Sequence, residues 1–281
     1  MRWIPGGTSR NVEDRRGSSG LGMGTMGIGG TAILLILSLV FGRDFISGSG
    51  GDTSPQASSG EVAPPASQTP EEATEVKFVS WVLDTTQATW ARLMPEQLGG
   101  RWHDAKLVLF RDATQTRCGT GQAAMGPFYC PLDERVYVDL SFYDDLKTRF
   151  GAPGDFAQAY VLAHELGHHV QHLLGTDAKV RQFQLSNPNE ANQASVALEL
   201  QADCYAGVWG HYAQQGGALE AGDVDEGLNA AAAVGDDRIQ RQTRGRVNQE
   251  SFTHGSSEQR ASWFKRGFTS GNARDCNTFG S

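Results

Sequence analysis

Residues 155–174 read DFAQAYVLAHELGHHVQHLL, and the architecture is read outward from them. Asp155 with Gln158 makes a capping-box start, apolar positions recur at helical spacing and Gly175 supplies a stop, so the stretch predicts one long helix. His164 and His168 lie one turn apart on a single face of it, and two imidazoles so placed can reach one ion. Zinc accepts nitrogen ligands at about 2.0–2.1 Å, so the pair supplies half of a tetrahedral site. Glu165 follows His164 directly, and its longer side chain can reach a water beside the ion without ligating, the position of a general base.

A catalytic zinc takes a third protein ligand and keeps one position open. His172 lies too far along the same helix to converge, and a metzincin continuation fails because Gln171 and Leu174 stand where Gly and His are required. A second long helix is predicted with Asn187 as N-cap, Pro188 first and Glu190 as its N3 acid, ending near Gly216. It carries Glu199 and Asp203 on one face, among Val196, Ala197, Leu198, Leu200 and Ala202, and carboxylates in so apolar a stretch need partners. Glu199 is expected to complete the metal shell, with Glu190 as its competitor. Asp203 is expected to accept the second ring N–H of a ligating histidine. A developing oxyanion also wants a donor. His254, just ahead of a helix capped by Ser256 and Gln259, is the candidate, with Tyr205 and Arg260 as alternatives. His103, His169 and His211 read as structural or exposed.

Residues 76–94 predict an amphipathic helix, 106–111 and 135–140 short strands, and 223–240 a further helix. The strand around Tyr137 is a candidate to line a cleft and pair with an extended peptide. The chain reads as α+β and helix-dominated, with a small β-sheet.

No Lys, Arg, Asp or Glu occurs between Arg16 and Arg43, and residues 21–42 suffice as a helix to cross a hydrocarbon core of ~30 Å. Arg2, Arg10, Arg15 and Arg16 precede that run and only Arg43 follows before Lys77, so the positive-inside rule puts the N-terminus in the cytoplasm. The expected organisation is a cytoplasmic segment over 1–20, a transmembrane helix over 21–42, a flexible linker over 43–75 and a folded extracytoplasmic domain over 76–281. A cleaved signal peptide, with residues 33–41 as its apolar stretch and cleavage near Ser47 or Ser49, is the rival; the long charged start favours a retained anchor.

The formal net charge of -8 excludes nucleic acid as the main partner. Basic residues gather over 238–246, but Gln and Gly among them read as a solvated loop, with no partner assigned. Cys118 and Cys130 flank a Gly-rich stretch, so a local bridge there is the simplest pairing and leaves Cys204 to Cys276; the rival reading of Cys204 is a buried thiol. No Cys-x-x-Cys spacing supports a cysteine zinc site.

The chain resembles the bacterial family of putative neutral zinc metallopeptidases, related in motif logic to the gluzincins. The likeness is carried by Arg2-Trp3, Ser9, Asn11 through Gly17, Gly126 through Pro131, His164 through Gln171, Glu199 through Gly207, and His254 through Arg260; it omits 47–75. The resemblance implies a zincin-like domain with Zn²⁺, a peptide or protein substrate and hydrolysis at a membrane-anchored exported domain. The alternatives are an exported zinc amidase acting on cell-wall peptides and a non-catalytic zinc-stabilised membrane scaffold.

Overall fold

The structure, a computed structural model, describes residues 1–17 and 69–279. Its sheet is built from β1 (Val12–Asp14), β2 (Lys106–Phe110), β5 (Phe128–Cys130) and β6 (Arg135–Asp139), in the order β1-β2-β6-β5. The first three neighbours run parallel and β5 lies antiparallel at the edge. Strands β3 (Ala113–Thr116) and β4 (Gly119–Gln122) form a separate hairpin. Leu107, Leu109, Val136 and Val138 are buried, so the sheet packs one face against helices, as short apolar strands require.

The helices are α1 (Pro70–Leu93), α2 (Ser141–Thr148), α3 (Asp155–Leu173), α4 (Thr176–Ser186), α5 (Ala191–Gln215), α6 (Asp223–Ala233), α7 (Asp236–Arg244) and α8 (Ser257–Ser270). The fold is therefore α+β and helix-dominated. Thr69 and Glu72 form a capping box at the start of α1, and Ser256 and Gln259 form the expected one at α8. Helix α3 is buried along most of its length, from Phe156 to Gln171, because α1, α5 and α6 enclose it. Cys118 is bonded to Cys130, and Cys204 to Cys276.

Several local expectations are corrected. Gly154, not Asp155, caps α3, since the Asp155 carboxylate receives the Met1 ammonium at 2.9 and 2.8 Å. Residues 188–190 form only a single 3-10 turn before α5, and α4, which was not expected, precedes it. The helix predicted over 223–240 breaks at Val234 and Gly235, where a Cβ on Gly235 would stand 2.4 Å from the Ser257 backbone nitrogen. Tyr137 is internal and buried on β6; among the described residues the strands at the sheet's edges are β1 and β5.

The N-terminal organisation is corrected as well. Among the described residues no helix is long and apolar enough to cross a membrane, and the stretch 21–42 lies outside them. Residues 1–17 belong to the same body as the rest: Val12 pairs with Leu107, the Arg15 amide donates to the Leu109 carbonyl at 2.8 Å, and Trp3 meets Phe78 edge-on at 5.4 Å. A single crossing between residues 17 and 69 would place these partners on opposite sides of a bilayer. The single-pass membrane arrangement, with a cytoplasmic N-terminus and an extracytoplasmic domain, is therefore not upheld. Cleavage near Ser47 or Ser49 would likewise detach β1 from the sheet.

Candidate metal centre

His164 and His168 project from α3 toward α5, which carries Glu199 and Asp203. Gly167 between the histidines lets the helices approach, since a Cβ there would lie 3.0 Å from the Ala202 carbonyl oxygen. The donor atoms of His164, His168 and Glu199 lie within 4.8 Å of one another. His164 Nε2 is 3.2 Å from Glu199 Oε2, and His168 Nε2 is 3.5 Å from Glu199 Oε1. Two ligands about 2.0–2.1 Å from one tetrahedral ion stand roughly 3.3–3.4 Å apart, and each histidine lies at about that distance from one of the two Glu199 oxygens.

The remaining ring nitrogens are engaged. His164 Nδ1–H donates to Asp203 Oδ1 at 2.8 Å, and His168 Nδ1–H donates to Gln171 Oε1 at 2.8 Å, which leaves both Nε2 atoms facing Glu199, each able to ligate once it gives up its proton. Asp203 is fully buried and also accepts from Tyr160 Oη at 2.5 Å and from Arg260 Nε and Nη2 at 2.8 and 2.9 Å. Gln171, also fully buried, donates to the Leu198 carbonyl at 2.7 Å and to Gln201 Oε1 at 3.1 Å. Gln201 in turn donates to the Cys276 carbonyl at 3.0 Å, linking the second disulfide to the site.

Burial opposes charge on Glu199, yet the His168, His254 and His164 imidazoles around it hold its carboxyl well below the usual range. Burial likewise opposes charge on Asp203, and Arg260 outweighs it, keeping that carboxyl low. Glu165 differs: burial lifts its carboxyl above the usual range against the pull of His164 and His168.

The centre opens into a cavity of about 470 Å³ whose lining includes Glu165, His254, Tyr129 and Phe128. His254 is backed by Asp236, whose Oδ1 is 3.4 Å from His254 Nδ1 and whose Oδ2 accepts from the backbone N–H groups of Thr253, His254 and Gly255 at 2.7, 2.7 and 3.1 Å. Burial works to lower the His254 pKa, but the charges of Glu199 and Asp236 raise it overall.

The other candidates fall elsewhere. Glu190 is exposed on its turn, and Tyr205 packs edge-on to Trp90. Arg260 reaches the cavity with its guanidinium already bound to Asp203. His172 turns to Asp177 at 2.7 Å, the buried His169 donates to the His103 carbonyl at 2.8 Å, and His211 donates to the Phe268 carbonyl at 2.8 Å. Sequence reasoning missed Gln171, Tyr160 and Asp236. For Gln171 a signal existed: an amide three residues beyond His168 on a buried face has its reach set by the helix.

An HExxH helix packed against a carboxylate-bearing helix brings three potential donors for one metal ion together. The chain belongs to the family described as "Putative neutral zinc metallopeptidase", whose profile matches residues 1–279. It is 53% identical over 287 residues to the uncharacterized protein YpfJ of Escherichia coli (strain K12), covering 100% of this chain and 99% of that one. It is 44% identical over 207 residues to the uncharacterized protein Rv2575 of Mycobacterium tuberculosis (strain ATCC 25618 / H37Rv), covering 70% and 68% of the two chains. No solved structure matches it.

Proposed function

We propose that this chain is a zinc-dependent peptidase in which His164, His168 and Glu199 hold the ion and Glu165 is the general base. The observation that carries the reading is the convergence of those donors, spaced for one tetrahedral ion, at a cavity that also holds Glu165 and His254. Zinc bound there would supply Lewis acidity toward the scissile carbonyl and the attacking water.

Glu165 takes the proton of that water as its oxygen adds to the carbonyl carbon. The carbonyl electron pair moves onto oxygen, where the His254 N–H donates to the developing charge; Asp236 behind the ring holds it in place. The carbon–nitrogen bond then breaks as Glu165 returns its proton to the leaving amine. Strand β5, which has no strand on its outer side among the described residues and lines the cavity with Phe128 and Tyr129, offers backbone groups to an extended substrate.

The test uses the full chain loaded with zinc. Metal content is measured in wild type and Glu165→Gln, together with cleavage of an unfolded protein and of purified wall peptides. Both proteins should hold one zinc, and hydrolysis should fall by ~10²–10⁴ in the variant. Equal rates in the two would end the hydrolase reading in favour of a scaffold; cleavage of wall peptides alone would favour the amidase.

A further inference from the structure

A run of hydrogen bonds joins the second disulfide to His168. His168 Nδ1–H donates to Gln171 Oε1 at 2.8 Å, Gln171 Nε2 donates to Gln201 Oε1 at 3.1 Å, and Gln201 Nε2 donates to the backbone carbonyl of Cys276 at 3.0 Å. Cys276 is bonded to Cys204, which stands about one turn beyond Gln201 on α5. Gln171, Gln201 and both cysteines are buried. In so dry a setting each hydrogen bond polarises the next, and a broken one strands a polar group out of reach of water.

The run has a fixed direction, and that direction starts from the cysteine. A backbone carbonyl can only accept, so the Gln201 amide turns its NH₂ to Cys276 and its oxygen to Gln171. Gln171 must then present its own NH₂ to Gln201, and the Leu198 carbonyl reinforces this by accepting from the same nitrogen at 2.7 Å. Its oxygen is left facing His168, where only an N–H fits. The imidazole therefore keeps its hydrogen on Nδ1, and Nε2 is the atom turned to the metal.

The same end of the chain also borders Glu199. Thr278 Oγ1 donates to the Ala197 carbonyl at 2.6 Å. Ala197 and Gln201 lie on either side of Glu199, so residues 276–278 grip α5 across the turn that carries that ligand. Gln97 holds the front of the C-terminal turn, accepting from the Ala273 N–H at 2.7 Å, but ties it to residues 94–98. The bridge fastens the end of that turn to α5 itself.

We propose that the bridge between Cys204 and Cys276 positions the metal centre, with Gln201 as the residue that transmits its hold. Through Gln201 and Gln171 it sets the tautomer and angle of His168, and so tightens zinc binding. The inference rests on the ligand set His164, His168 and Glu199 and needs no peptide hydrolysis.

Zinc affinity is measured by chelator competition on the full chain, with urea unfolding of the same metal-free proteins alongside. Removing the bridge, Cys204→Ala with Cys276→Ala, should weaken zinc binding roughly tenfold, the scale of coupling between linked groups. Gln201→Leu keeps the bridge and cuts the run, so it should weaken zinc by a similar factor, and it carries the test if the double cysteine variant does not fold. A bridge also stabilises a fold by restraining the unfolded chain, here across a separation of 72 residues, so stability alone decides nothing. The deciding readout is a double-mutant cycle. In a Gln171→Leu background the run is already cut, and Gln201→Leu or loss of the bridge should cost zinc affinity nothing further, although loss of the bridge still lowers urea stability there. Losses that add across the cycle, or wild-type zinc affinity in Gln201→Leu, would overturn the inference. A wild type that takes up no zinc would remove the ligand set itself, whereas one zinc held with an affinity indifferent to Gln201 and the bridge would remove the positioning role alone.

Discussion

The guanidinium of Arg260 grips both oxygens of Asp203, Nε at 2.8 Å from Oδ2 and Nη2 at 2.9 Å from Oδ1, with both side chains buried. Asp203 in turn orients His164, so an arginine on α8 sets the angle of an imidazole on α3. Arg260→Leu strands a buried carboxylate and should lower the stability of the metal-free protein by about 3–5 kcal/mol in urea titrations. Arg260→Lys keeps the charge and loses the fork, so it should fall between. Wild-type stability in Arg260→Leu would mean the pair does not hold the site together.

Gln171 does for His168 what Asp203 does for His164, with a neutral acceptor. Gln171→Leu leaves His168 Nδ1, the Leu198 carbonyl and Gln201 without that partner, and zinc affinity should weaken by ~10–100-fold in a chelator competition. Gln171→Glu retains an acceptor for the ring and should keep more of the affinity. Identical zinc affinity in wild type and Gln171→Leu would reduce the contact to packing.

His254→Ala should keep its zinc and lower kcat by ~10²–10³ with KM nearly constant, because the contact strengthens only as charge develops. Asp236→Asn should have a smaller effect with a diagnostic direction. The Asp236 charge helps raise the His254 pKa above 6.5, so its removal should move the alkaline limb of kcat/KM to lower pH. A profile that scales without shifting would show that Asp236 only braces the loop.

The Met1 ammonium sits 2.8 Å from Asp155 and 3.3 Å from Asp223. Burial alone would lower its pKa, but the hydrogen bond and charge of Asp155, with Asp223, raise it above 8.0. A pKa raised on folding adds stability that is complete below the unfolded value and is lost as pH climbs through the folded one. Thermal unfolding of wild type and of an Asp155→Asn, Asp223→Asn variant should therefore converge as pH rises above 8.0. Curves that stay parallel across that range would show the contact to be energetically silent.

What could be read from sequence was what neighbouring residues decide among themselves. The α8 capping box needs only Ser256 and Gln259, and the one-turn spacing of His164 and His168 needs only a helix. Asp155 illustrates the limit: locally it is a good cap, yet its carboxylate is taken by Met1, far away in sequence. Gly235 is similar, since the helix break there answers to Ser257 of another element. Asp236 gave no local sign of its bond to the His254 loop, and a three-residue strand such as β1 is too short for a period to emerge.

The pairing of β1 with β2 bears on how the protein can be handled. A fragment begun at residue 69 would carry the metal donors but bare the backbone edge of β2 and the face of Phe78 that Trp3 covers. Such an open edge invites a strand from a second molecule, so the fragment should be prone to exchange or aggregation. A minimal soluble version should instead keep residues 1–17 and 69–279 in one polypeptide, with a plain Gly/Ser connector replacing what lies between.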